Sequence, residues 1–270
     1  MNLEIPNRIF KYRSFDSNGN SINLLQNNRL YFSSPIKFND PFDCRVAPNY
    51  SIGSDKDIYN KMYEHNKEVY PNLSYGVLRK ITGKDFAKNV NIIKNPELFS
   101  KRINDMIDQL IGVFTMTEDN ENILMWSHYA ESHKGFCVEF NPKRLFEICY
   151  NYIKIGDLIV SKKVKYSSTY PLINPYKVSA SYEEYMDWLT VKSSVWEYEK
   201  EWRLIYSNHP NEQVDFPDEI IKAIYFGVYC SDENIKMVIE LTKNKKVVPK
   251  YYKAKLKNNE FGIDFIMIKG

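Results

Sequence analysis

The stretch Val195–Tyr206, VWEYEKEWRLIY, sets glutamates at alternate positions between two tryptophans. Paired carboxylates do acid–base and electrostatic work when burial or neighbouring charge drives their proton affinities apart. Read as an extended strand, the stretch puts Glu197, Glu199, Glu201 and Arg203 on one face and Trp196, Tyr198 and Trp202 on the other. A solvated face on which Arg203 neutralises Glu201 would have the same pattern. The neighbouring Leu204 and Ile205 are apolar on both faces, so Glu201 and Arg203 stand where solvent gives way to core, a boundary that perturbs carboxylates. The expectation is that Trp196, Tyr198 and Trp202 are buried while Glu199 and Glu201 face a cleft.

Further polar groups gather near the N-terminus. KYRSF and YFSSPIKFNDPFD are separated by one short predicted helix, and they place Arg13, Ser33, Ser34, Asn39 and Asp40 at the ends of two apolar strands. Strand ends are where a scaffold presents polar groups to a ligand. Turn chemistry explains each of them singly: Asn39-Asp40-Pro41 makes an Asx-type turn, and Ser33-Ser34-Pro35 ends a strand. In WSHYAESHKGFCVEF, Trp126, His128, Tyr129 and His133 could stack on or hydrogen-bond a base, or be ordinary structural groups. Near the C-terminus Lys253, Lys255 and Lys257 share one strand face, opposite Tyr252, Ala254 and Leu256. Protection of an edge strand is the first reading there, attraction for phosphate the second.

The elements that must position these residues follow from periodicity. RIFKYRSF and RLYFSS read as strands flanking a helix at SINLLQNN, with DSNGN as the turn before it. Residues 54–111 read as a mainly helical insertion. In its last helix Asn95 caps, Pro96 takes the first position, and Leu98, Ile103, Met106, Ile107, Leu110 and Ile111 mark one face. Strands are expected at GVFTMT, GFCVEF, KVKYSS, EWRLIY, AIYFGVYC, VVPKYYKAKLK and FGIDFIMIK, and helices at ENILMWSHYA, around SYEEYMDWLTVK, and after Ser231. The prediction is a single α+β domain over 1–270.

Composition excludes several classes. The 270 residues are 43% hydrophobic and 26% charged, which suits a folded domain, and the net charge of +3 does not by itself call for nucleic acid or membrane. No apolar run is long enough to span a bilayer and MNLEIPNRIFKYRSF is no secretory signal, so a cytoplasmic protein is expected. Cys44, Cys137, Cys149 and Cys230 lack metal-site spacing, and no histidines stand at i, i+4, so no metal is expected. Within WSHYAESHKGFCVEF no serine or cysteine has the company that a nucleophile needs.

The ordered stretches YRSF, LYFSSPIKFNDPFD, MWSHYAESHKGFCVEF and KSSVWEYEKEWRLIY resemble the bacterial family catalogued as Domain of Unknown Function 2971. More distantly, an N-terminal strand with a polar residue, a short helix, a second strand ending in serines and a late strand led by Glu-x-Glu is similar to the layout of ADP-ribosyltransferases. That resemblance implies a split, mostly antiparallel sheet holding NAD in a cleft. It makes Glu201 the catalytic carboxylate, with Glu199 on the acceptor side. Tyr12, Arg13, Ser33, Ser34, Phe38, Asn39 and Asp40 would bind NAD, with Trp126, His128, Tyr129 and Arg203 as further candidates. Tyr12-Arg13 stands where one subgroup of that superfamily has histidine.

What the resemblance implies is an NAD-consuming transferase or NAD glycohydrolase, a bacterial toxin or anti-phage effector with a protein or nucleic-acid acceptor and an antitoxin or defence-system partner. Two other functions stay open: a hydrolase acting on nucleic acid or sugar through the paired glutamates, and a non-catalytic sensor of a nucleotide or phage component.

Overall fold

The computed structural model describes residues 5–15, 19–45, 53–153, 159–169, 186 and 188–270. Strand β1 (Ile9–Arg13) leads to helix α1 (Asn20–Asn27) and strand β2 (Arg29–Phe32). The helices α2 (Asp55–Val69), α3 (Tyr75–Lys94) and α4 (Pro96–Leu110) form the expected insertion. Ser54 and Asp57 close a capping box on α2, and the Asn95 side chain accepts from Glu97 and Leu98 at the start of α4. The expected apolar face of α4 is mostly not buried. Ile103 and Ile107 rest against the core, but Leu98, Met106 and Leu110 are exposed and Ile111 belongs to the next strand.

Strand β3 (Ile111–Thr117), helix α5 (Ile123–Tyr129) and strand β4 (Phe136–Phe140) follow as predicted. The tyrosine-rich stretch beyond holds two elements that were not expected, helix α6 (Pro142–Ile153) and strand β5 (Ile159–Lys163), before the short strand β6 (Lys165–Ser167). The helix predicted around SYEEYMDWLTVK lies largely outside the described residues, as does most of DSNGN, and the former's last two residues open strand β7 (Val191–Ser193). Strands β8 (Glu201–Ser207), β9 (Glu212–Asp215) and β10 (Ile221–Phe226) lead to helix α7 (Asp232–Thr242), capped by Ser231 as expected. Strands β11 (Lys250–Leu256) and β12 (Ile263–Ile268) complete the sequence of elements.

Eight strands form one sheet in the order β12-β11-β10-β4-β1-β3-β8-β5. Within this sheet only β10 and β11 run parallel, with α7 as the crossover between them, while β6 and β7 form a separate parallel pair. The chain is thus α+β with a large, mostly antiparallel sheet. The lysine-bearing strand β11 is interior, paired on both sides, so edge protection does not explain its lysines. One sheet face packs on α1, α6 and α7 through Leu24, Leu25, Leu145, Phe146 and Val238; the other carries α5 through Met125 and Trp126.

The sheet is not uniformly zipped. β1 matches β4 at five positions and β3 matches β8 at seven, but β1 and β3 meet only at Phe10–Thr117. Beyond that pair the two strands part, and β3 instead bridges Ser33, whose N–H and C=O both bond to Val113. The opening between β1 and β3 is the feature that creates room for a ligand.

Gly135 fixes one side of that opening. A Cβ there would lie 2.1 Å from the Arg13 carbonyl and 3.1 Å from Ala130, so only glycine lets the turn after α5 run against β1. Gly135→Ala should therefore destabilise the fold by about 1–3 kcal/mol, as overpacking does. Gly83→Ala, in α3 with open space around it, should stabilise by about 1 kcal/mol. Urea denaturation of both variants reads the two signs.

Candidate functional site

The glutamate stretch does not form one strand. Ser194–Glu199 is a 3₁₀ turn, Lys200 takes a left-handed conformation (φ 44°), and only then does β8 begin at Glu201. Glu197 is consequently exposed and Trp196 and Tyr198 are half-buried, against expectation, while Trp202 is buried as predicted. Side-chain alternation holds within β8, where Glu201 and Arg203 share a face opposite Trp202 and Leu204. That face is core rather than solvent: Arg203 is 0% exposed.

A buried guanidinium must have every donor satisfied, or its desolvation is uncompensated. Arg203 Nε donates to Glu201 Oε1 (2.7 Å), Nη1 to the Leu189 carbonyl (2.7 Å) and the Cys44 sulfur, and Nη2 to both Asp43 oxygens (2.7 and 2.9 Å). Lys192 joins the cluster from β7, donating to Glu199 Oε2 (2.5 Å) and Glu201 Oε2 (2.9 Å), with Asp43 at 3.6 Å. Glu199 Oε1 accepts from the Tyr129 hydroxyl at 2.7 Å. One ammonium thus ties both glutamates together.

Their environments pull the two carboxyls apart. Burial pushes Glu201 up, but Arg203 and Lys192 together outweigh it and hold the carboxyl at about 2. For Glu199 burial prevails over Lys192 and, aided by the Glu201 charge, raises its pKa. Burial also raises Tyr129, so its hydroxyl stays a donor to Glu199. Divergent carboxyls that share one ammonium are the pattern of a charge-stabilising group beside an acid–base group.

These residues border a cleft of about 460 Å³ at the opening between β1 and β3. Glu199, Glu201, Lys192 and Asp43 line one part of it, with His128 and Tyr129 from α5. Lys11 and Arg13 from β1 line another, both over the Phe114 ring with their charged groups 5.1 and 6.0 Å from its centroid. Ser33, Phe38 and Asn39 supply further wall, and Tyr12 contributes although its buried hydroxyl bonds to the Asp119 carbonyl. Pleat parity sets Arg13 with Phe136 on the opposite sheet face from Thr117 and Glu201. They reach one cleft only because the sheet opens between their strands.

Five candidates do not line it. Ser34 is buried and donates to the Asp108 carbonyl. Asp40 shapes the turn by accepting from Phe42 N–H, the Asx chemistry that explains it without a ligand. Trp126 is core, its indole N–H on the Asn120 carbonyl, and His133 stacks on it. Arg203 acts from behind, on Glu201. Sequence reasoning missed Lys11, Asp43 and Lys192. The first shares strand parity with Arg13, the second lies in NDPFD, and Lys192 stands at the end of the apolar run in WLTVK, a signal that a partner was needed.

Among the described residues no cluster of histidine, cysteine, aspartate and glutamate could hold a metal ion, and no helix is long and apolar enough to cross a membrane. A family model described as "Protein of unknown function (DUF2971)" matches residues 125–204, which supports the resemblance read from the motifs. The matched segment carries His128, Tyr129, Lys192, Glu199, Glu201 and Arg203; the stretches around Arg13 and Ser33 lie outside it. No curated protein and no solved structure matches the chain.

Glu201→Ala should cost about 3–5 kcal/mol at neutral pH, because it leaves Arg203 and Lys192 short of a buried counter-charge. The carboxyl is held below its ordinary 4.5, so its contribution is present above that pH and is lost as pH falls toward 2. Denaturant titrations should show a gap between wild type and variant that is wide at pH 7 and narrower at pH 3.

Proposed function

We propose that the cleft binds NAD and breaks its nicotinamide–ribose bond, passing ADP-ribose to water or to a macromolecular acceptor. The observation that carries this reading is convergence: Arg13, Ser33 and the Glu199–Glu201 pair come from distant strands and turns, yet border one cleft of ligand size. Cations on β1 suit a pyrophosphate, Phe38 offers a ring to stack on, and Ser33 offers a hydroxyl to the nicotinamide end.

Scission of the C1′–N bond sends the bonding pair to nicotinamide, which leaves neutral, while positive charge develops on the ribose. A fixed carboxylate stabilises that charge, as in glycoside hydrolysis. Glu201, anionic at any working pH, supplies the negative field, although Lys192 and Arg203 partly neutralise it. Glu199 is the better proton acceptor, since its raised pKa favours taking the proton from the attacking oxygen. The acid–base role therefore moves to Glu199, and Glu201 becomes as much the keystone of the cluster as a catalytic group.

A second reading has an observation of its own. Both oxygens of Glu201 are already engaged by Arg203 and Lys192, which suits a rigid recognition site that binds a nucleotide without turnover. Nicotinamide release from NAD, with and without cell lysate as a source of acceptor, separates the two. Wild type should release nicotinamide, and Glu199→Gln should lower the rate by about 10² to 10³ with little change in melting temperature. NAD binding without release favours the sensor, and neither binding nor release, even with lysate, removes NAD from the cleft. Glu201→Gln is a poorer test than its chemistry suggests, because loss of activity there would not be separable from loss of the fold.

A further inference from the structure

Lys11 stands out among the cations of the cleft. The carboxylates that border the same cleft are committed elsewhere: Glu199 to Lys192, Glu201 to Lys192 and Arg203, Asp43 to Arg203. Among the described residues no carboxylate lies within ion-pair distance of Lys11, whose ammonium donates to the Thr115 hydroxyl at 2.6 Å. Its strand neighbour Arg13 points the same way, over the same phenyl ring. Cations that border the cleft, Lys11, Arg13, Lys37 and Lys192, outnumber its carboxylates. Helix α1 begins on this cleft at Asn20, and its dipole adds to the positive potential.

We propose that Lys11 seats a phosphate group of a nucleoside diphosphate moiety and takes up a proton as that phosphate binds. The proposal rests on the nucleotide reading of the cleft, but not on any bond being broken there. Burial, with Arg13 next, depresses Lys11 to about 7, against opposing pulls from Glu201 and Glu199 and a further push from Lys192. At neutral pH part of the population is therefore uncharged, and an arriving anion supplies the counter-charge that the protein withholds. The groups facing Lys11 are Arg13 on its own strand, Glu201 on β8, Lys192 on β7 and Glu199 on the 3₁₀ turn.

Isothermal titration with ADP and with adenosine, at pH 7.5 in buffers of different ionisation enthalpy, tests this. Wild type should bind ADP about tenfold or more tighter than adenosine, the worth of a charge-assisted hydrogen bond, and should take up a fraction of a proton with ADP alone. Lys11→Met should lose that preference and the proton uptake, whereas Lys11→Arg, always charged, should keep the preference without the uptake. Equal affinity for ADP and adenosine, or unchanged proton uptake in Lys11→Met, would overturn the proposal. ADP binding with Lys11-dependent uptake and no nicotinamide release would retain it while rejecting NAD cleavage. NAD cleavage with a KM unaffected by Lys11→Met would do the reverse.

Discussion

The burial of Arg203 is the constraint on which the rest of this structure depends. A guanidinium without exposure near the start of β8 cannot be left unpaired, and groups from three segments serve it. Asp43 comes from the turn after β2, Glu201 from β8 itself, and the Leu189 carbonyl from the approach to β7. Those contacts lock the NDPFD turn, the start of β8 and the strand bearing Lys192 against one another. Cys44, with φ at 52°, is held in a left-handed conformation beside the same guanidinium. Backbone strain of this kind persists where surrounding contacts over-determine it.

A second consequence is geometric. Because Lys192 holds both Glu199 and Glu201, and Arg203 holds Glu201 and Asp43, the carboxylates border the opening between β1 and β3 rather than bulk solvent. A fully zipped β1–β3 pair would have put Arg13 and Glu201 on opposite sides of a closed sheet. The single register pair at Phe10–Thr117 leaves the strands free to part, and Ser33 satisfies the backbone of Val113. The hydrogen bonds that β3 does not make to β1 are thus made in part to the serine that ends β2.

Much of the framework was legible in the sequence, because period-two strands and capped helices are local signals. β1, β3, β4 and β10, the insertion helices and the Ser231 cap all follow from them. The glutamate stretch was misread because alternation in EYEKEW has the same appearance in a 3₁₀ turn followed by a strand, and nothing local marks Lys200 as left-handed. α6 does carry a helical spacing, with Leu145, Phe146 and Cys149 on its buried side, but the tyrosines that follow mask it, and β5 is a short strand without clear alternation. At the site, Arg13, Ser33, Asn39, His128, Tyr129 and the two glutamates were identifiable by residue type near strand and helix ends, and Phe38 only through the resemblance. Lys192 and Asp43 had only a lysine ending an apolar run and an aspartate in a turn to mark them, since an ion pair between positions 43 and 203 has no local signature.

The roles of the two glutamates follow from how many partners each has rather than from their order in the chain. Glu201 accepts from two cations, and every proton it could exchange would disturb the pairing of Arg203. Glu199 accepts from one cation and one neutral hydroxyl, so gaining a proton there costs a single ion pair, and burial already favours it. Lys192 is shared, which couples them: protonation of Glu199 frees Lys192 to lean on Glu201, and ionisation draws it back. A site built this way can move a proton at Glu199 while the charge at Glu201, and with it the buried guanidinium, stays fixed.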